Sequence, residues 1–293
     1  MADKTLPQMI DLHSHLLPGI DDGPRNWDES LAMAADYAAC GFTTVVATPH
    51  YIRGSGWCTS PARIKEMVAE LNRRLEEAGM TLQVLSGMEI AIDPRFWIFF
   101  DHNQVLPLAG SGVCLVEFPF QNATIGLVHK FLAGMKKYDS IEWIIAHPER
   151  CPLFQEHPDV LGQLSRAGCL AQLNCGSILG LNGPTARQTA LDLLELGSIH
   201  VIASDSHGRG PRGVPGPEQW KRLSKMLGPD TVAIALSENP QALLDSQTTP
   251  PLEVEPWRLA AIREDTMHHD QGYPTGQSPK QSVLARLVRK ILQ

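Results

Sequence analysis

Residues 10–24 read IDLHSHLLPGIDDGP: an apolar run delivers His13 and His15 one residue apart, and an Asp-Asp-Gly-Pro turn then carries Asp22. Side chains alternate along a strand, so His13 and His15 share a face. The arrangement recurs in HVIASDSH, which ends in Asp205 and His207. Between these, TTVVAT runs into Pro49-His50, LSGMEI delivers Glu89, VCLVEF delivers Glu117, and WIIAHPER delivers His147 with Arg150 one turn on. Taken singly, His50 or His147 reads as a hydrogen-bonded structural imidazole, and a lone His-x-His is a weak signal. Glu89 and Glu117 are harder to dismiss, because a carboxylate ending an apolar strand is costly to desolvate without a partner cation. The coincidence decides: His13, His15, Asp22, His50, Glu89, Glu117, His147, Asp205 and His207 all fall at the ends of apolar runs, which favours metal binding over nine private structural roles. Imidazole and carboxylate without thiolate suit Mn²⁺, Fe²⁺ or Zn²⁺ alike. Such ions make hydroxide available near neutral pH, and Arg150 beside them offers a bidentate fork that a lysine could not reproduce. His102, His129, His157, His200, His268 and His269 lie in helices, loops or the tail and receive no role.

The elements that must position this set are short apolar runs of strand length at 9–13, 43–48, 82–90, 113–118, 141–147, 169–175 and 200–205. Helix signals separate them: Asn26 ahead of WDESLAMAADYAAC with Gly41 as its stop, Ser60-Pro61 opening RIKEMVAELNRRLEEAG, and Pro184 opening TARQTALDLLELG. Repeated strand-helix units predict a parallel sheet. A barrel gathers the C-terminal ends of all its strands on one face, whereas a doubly wound sheet offers a single switch point, so ligands drawn from six strands favour a closed or nearly closed barrel. GRGPRG at 208–213 matches a dinucleotide fingerprint, but Pro211 interrupts the helix start such a site needs. No cysteine has an arginine six residues on, so a thiolate phosphate loop is not supported, and Cys151 beside Arg150 reads as a packing residue.

Length and charge agree. A chain of 293 residues with 43% apolar and 19% charged residues can bury one large α/β core, and a net charge of -7 with no basic run before residue 280 argues against a nucleic-acid surface. Six scattered cysteines without a C-x-x-C pair fit a reducing, cytoplasmic setting, and no signal core or transmembrane run is evident. Residues 247–280, rich in Pro, Thr, Gln and His, read as a surface or disordered linker. SVLARLVRKILQ then places Val283, Leu284, Leu287, Val288, Ile291 and Leu292 opposite Arg286, Arg289 and Lys290, as a helix that docks on its own barrel or a twin subunit, or else contacts a membrane surface. Gly54 and Gly56 in GSGWCTS permit motion beside the site, where Trp57 offers an aromatic wall.

The ordered set DLHSH, DDGP, TPHY, GMEI, EF, AHPER, NCGS and SDSH resembles the PHP (polymerase and histidinol phosphatase) superfamily over about residues 9–245. Through DDGP and HPER it is most similar to the manganese-dependent tyrosine-protein phosphatases of bacterial capsule and exopolysaccharide operons, the CpsB/YwqE type. The resemblance implies a distorted TIM-like (β/α)7 barrel over residues 1–246, with 247–293 as an extension. It implies manganese at three positions: His13, His15, Glu89 and Asp205 at one, Glu89 bridging to a second with Glu117 and His147, and Asp22, His50 and His207 at a third. Arg150 matches the phosphate-binding arginine and Arg212 a second basic position, although Arg-Gly stands here where Arg-Pro is usual. Asp22 or a bound water could supply the proton to the leaving group. The implied partner is a phosphotyrosine protein, a membrane-associated tyrosine autokinase. A PHP phosphoesterase for a metabolite such as histidinol phosphate, and a non-catalytic metal-binding module, are the alternatives.

Overall fold

The computed structural model describes residues 8–102 and 104–269. Its strands are β1 Met9–Ser14, β2 Phe42–Ala47, β3 His50–Tyr51, β4 Gln83–Ser86, β5 Glu89–Ala91, β6 Val113–Glu117, β7 Glu142–Ala146, β8 Leu170–Asn174 and β9 Val201–Ala203. All pair in parallel, in the orders β1-β2-β4 and β3-β5-β6-β7-β8-β9. The expected run 82–90 is therefore broken in two, and the run at 43–48 is followed past Pro49 by the short β3. The break in 82–90 falls at Gly87, where a Cβ would stand 2.8 Å from Leu108 and 2.9 Å from Val46, so only glycine lets the chain cross so close to its neighbours.

Backbone bonds bridge these breaks, from Gly87 N–H to Ala47 O at 2.9 Å and from Glu89 N–H to Pro49 O at 3.1 Å. The ring continues from β9 to β1, with Asp205 N–H donating to His13 O at 3.0 Å and His15 N–H to Ser206 O at 2.9 Å. Counting β2/β3 and β4/β5 as single broken staves, the strands make the seven-stave parallel barrel that the spacing predicts.

Local chemistry accounts for the helices. Asn26 accepts from Glu29 N–H and opens Trp27–Ala39, and Ser60 accepts from Arg63 N–H and opens Pro61–Glu77. Proline again begins Pro184–Glu195. Helix faces bearing Met33, Tyr37, Ile64 and Leu71 pack in the outer core with Trp143 and Phe131, while Ile10, Leu12, Val46, Leu115, Ile144 and Ala146 form a smaller core inside the barrel.

The linker expected over 247–280 does not hold for its first part. Leu252 is buried, and Pro256–His269 is a helix with Leu259 and Ile262 buried against the outer core. Leu259 and Ile262, three residues apart, share one side of that helix, and burying them with Leu252 outweighs the local bias of a Pro- and Thr-rich stretch. The basic helix expected over 282–293, and the rest of the linker, lie outside the described residues.

Candidate metal centre

Strict alternation would turn some of the candidate ligands the wrong way. Leu12 and Ala146 belong to the inner core, so His13 and His147, one residue later, would face outward. The β1/β2 register shifts between Asp11 and Ser14, and such an irregularity re-aims side chains. His147 has φ 28° and Asp205 has φ 53°. Non-glycine residues held there cost about 1–3 kcal/mol each and persist where the surrounding structure over-determines them, as at functional sites.

All nine residues singled out in the sequence converge at the end of the barrel to which the strands deliver them. The ligand atoms group within 4.8 Å of one another as His15, Asp22, His50 and His207; as His13, His15 and Asp205; as His13, Glu89 and His147; and as His50, Glu89 and Glu117. Glu89 is central: His147 Nε2 lies 2.9 Å from its Oε1 and His50 Nδ1 lies 2.7 Å from its Oε2. Glu117 stands 3.7 Å from His147 Nε2.

Several of these approaches are close without being hydrogen bonds. His50 Nδ1 and Glu89 Oε2, at 2.7 Å, are both left without a hydrogen-bond partner, and so are His207 Nε2 and Asp22 Oδ1, at 3.3 Å. Buried donor atoms that lie this close and stay unpaired lack the partner that a bound cation would supply. The residues fit divalent ions.

Groups behind the cluster fix its imidazoles. His15 Nδ1 lies 2.7 Å from Asp21 Oδ2 and His13 Nδ1 lies 2.9 Å from Gln172 Oε1. Each partner accepts, so Nδ1 carries the hydrogen and Nε2 is left free to ligate. Gln172 Nε2 donates to Asn174 Oδ1 at 2.8 Å, and Asn174 Nδ2 donates to Asp205 Oδ2 at 2.7 Å. Glu149 accepts from Ser177 Oγ at 2.6 Å and from Asn174 N–H at 3.1 Å. Asp21, Gln172, Asn174 and Glu149 were not singled out from the sequence. Asp21 had a signal, being the first acid of the DDGP turn, and Glu149 and Asn174 stand inside the HPER and NCGS motifs; Gln172, in CLAQLNC, carried none separable from a buried strand.

Charge and burial oppose each other at the carboxylates. Burial would raise Glu89 and Asp205, but His13 and its neighbouring imidazoles overcome it and hold both well below the usual carboxylate range. Glu117 is pushed well above it by burial and by the negative Glu89 and Asp205. Burial also takes Glu149 up to about 7 against the pull of Ser177 and Asn174. Asp22 is lowered, its burial offset by His207 and by Arg212, whose Nη1 lies 2.6 Å from Oδ2. The Arg150 guanidinium is bound to Asp205 and lies 5.1 Å over the Phe120 ring. A cleft of about 390 Å³ opens over the cluster, walled by Trp57, Phe120, Arg150 and Arg212.

The family model for capsular polysaccharide synthesis, CpsB/CapC, matches residues 9–245. The chain belongs to the CpsB/CapC family. The tyrosine-protein phosphatase YwqE of Bacillus subtilis is 34% identical over 241 residues, 82% of this chain and 93% of that protein. CpsB of Streptococcus pneumoniae, also a tyrosine-protein phosphatase, is 25% identical and is covered over 99% of its length. A chain from the crystal structures of YwqE and CpsB, described as unique metal-dependent tyrosine phosphatases, matches this CpsB/CapC member at TM-score 0.75 and 33% identity, over 84% of this chain and 99% of the other. A β-aspartyl dipeptidase from Fervidobacterium islandicum matches at TM-score 0.50 and 14% identity, a likeness of fold alone.

Proposed function

We propose that this CpsB/CapC protein is a metal-dependent protein-tyrosine phosphatase, with residues 1–246 as its catalytic unit. The observation that carries the reading is the convergence of nine imidazole and carboxylate side chains beneath a cleft whose wall carries the Arg150 guanidinium. His13, His15, Glu89 and Asp205 would hold one ion, Glu89, Glu117 and His147 a second, and Asp22, His50 and His207 a third, with manganese as the metal. Bound divalent ions supply a nucleophilic hydroxide near neutral pH and neutralise charge on the phosphoryl oxygens.

The chain's own groups do the rest. Arg150 presents a planar fork to two phosphoryl oxygens and orients the ester for attack in line with its leaving group. Arg212, half exposed at the rim and anchored to Asp22, adds positive charge where substrate enters. A tyrosine phenolate leaves with a pKa of about 10, so it needs less protonation than an alkoxide. Asp22 lies on the cleft wall, but His207 and Arg212 hold it as a carboxylate, so the proton for the departing oxygen would come from a bound water. Cys151 is buried and its thiol is pushed up by burial, which leaves the thiolate route without a nucleophile there.

The physiological substrate we infer is a phosphotyrosine protein, a membrane-associated tyrosine autokinase of capsule or exopolysaccharide synthesis, met at the cytoplasmic side of the membrane; the basic C-terminal segment is proposed for peripheral membrane or self-association contact. Among the described residues no helix is long and apolar enough to cross a membrane. The test is phosphate release from a phosphotyrosine peptide, a phosphoserine peptide and histidinol phosphate by chelator-stripped enzyme, with and without Mn²⁺ and with Arg150→Ala as control. Mn²⁺-dependent preference for phosphotyrosine supports the reading. Activity confined to histidinol phosphate would assign the same centre to a small metabolite.

A further inference from the structure

Two aromatic rings border the cleft without holding any of the nine clustered residues in place by a hydrogen bond. We propose that Trp57 and Phe120 form a clamp on the phenyl ring of an aryl phosphate ester, so that the site selects aryl over alkyl phosphates at the binding step; this deepens the phosphotyrosine reading and rests on it.

The placement is symmetrical about Glu89. His50 approaches one carboxylate oxygen at 2.7 Å and His147 the other at 2.9 Å. Trp57 stacks on His50, with centroids 5.2 Å apart and planes 11° apart. Phe120 leans on His147 at 5.6 Å and 43°. Each ring therefore backs onto one of the two imidazoles that flank Glu89, and both line the same cleft.

Local structure holds each ring. The Trp57 carbonyl accepts from Ile52 N–H at 2.7 Å, and Tyr51 bridges to Cys58, which closes the loop on itself. Phe120 follows β6 and lies under the Arg150 guanidinium, yet 40% of it remains exposed. A phosphoryl group gripped by Arg150 over the cluster must project its ester substituent toward the open side, between these walls. A phenyl ring there has two aromatic walls to pack against. An alkyl chain offers less area and no quadrupole.

Hydrolysis rates alone would confound this with the better phenolate leaving group, so the test is binding. Benzylphosphonate, ethylphosphonate and inorganic phosphate are titrated calorimetrically into Mn²⁺-loaded protein, for wild type, Trp57→Ala, Phe120→Ala and Phe120→Tyr. Each alanine variant should weaken benzylphosphonate about threefold to tenfold, while ethylphosphonate and inorganic phosphate bind as before and Phe120→Tyr retains wild-type affinity. A benzyl-to-ethyl ratio unchanged in both alanine variants would overturn the clamp. Equal weakening of all three ligands would also overturn it, by making the rings supports for the cluster. If wild type shows no preference for phosphotyrosine peptide while the ratio still responds to both substitutions, the clamp stands and the substrate assignment falls.

Discussion

Asp21 is a sensitive position because three donors converge on its buried carboxylate. His15 Nδ1 lies 2.7 Å and His50 N–H 3.2 Å from Oδ2, and Gly23 N–H lies 2.9 Å from Oδ1. Burial pushes this acid up, but the bonds from His15 and Gly23 and the charge of the imidazoles bring it below the usual carboxylate range, so it is ionised. Asp21→Asn conserves shape and changes two things. A neutral amide polarises His15 less, and losing such a partner costs about 10- to 100-fold in metal affinity, or about 1.4–2.7 kcal/mol. The new NH₂ must also face a donor whichever way the amide is turned, Gly23 N–H in one orientation and His15 and His50 in the other. That conflict costs about 1–3 kcal/mol of stability even without metal. Calorimetric titration of chelator-stripped protein with Mn²⁺ should show the affinity loss, and urea unfolding of the same stripped protein the stability loss. Wild-type Mn²⁺ affinity in a folded Asp21→Asn protein would refute the assignment of His15 as a ligand oriented through Asp21.

Arg150→Lys keeps the charge but not the planar fork, of which Nη1 is bound to Asp205; kcat/KM on p-nitrophenyl phosphate should fall on the order of 100-fold, and a fall of only a few-fold would show that charge alone suffices. Cys151→Ala should leave turnover unchanged, since the thiol donates only a long 3.7 Å contact to Pro119 O; loss of activity in a protein that still binds Mn²⁺ would reopen thiolate chemistry. His200 is buried and neutral, its pKa pushed down by burial to about 4 from 6.5, with Nδ1 accepting from Ala171 N–H at 3.3 Å. The unfolded chain therefore binds a proton that the fold does not, and the stability from this residue is full above about pH 6.5 and is lost as pH falls toward about 4, to the extent of about 3 kcal/mol. Urea unfolding near neutrality and near about pH 4.5 should show a steeper acid loss for wild type than for His200→Asn, and equal slopes would exclude His200 as a source of acid sensitivity.

Much of the centre was legible because its parts obey local rules. Strand-length apolar runs separated by capped helices specify parallel staves, and every parallel stave ends on the same face, so residues at run ends such as Glu89, Glu117 and Asp205 had to meet. Local sequence also specified the helix starts at Asn26, Ser60 and Pro184, since a cap needs only its own first turn.

What sequence could not decide depends on neighbours distant in the chain. Alternation shows that His13 and His15 point the same way; the β1/β2 irregularity and the positive φ of His147 and Asp205, which follow from pairing and packing, decide that they point into the cluster. Gln172 reaches His13 across 159 residues of chain, and a buried amide on an apolar strand looks the same in sequence whether or not an imidazole awaits it. Leu252, Leu259 and Ile262 lie in a stretch too polar to read as core, and they are buried because the finished barrel presents an apolar surface for them to cover. The sequence by itself determined which residues could ligate and on which end of the barrel they stand. Tertiary structure decided their aim, their hydrogen-bonded backing and the aromatic walls above them, because close packing fixes side-chain direction only once all the staves are in place.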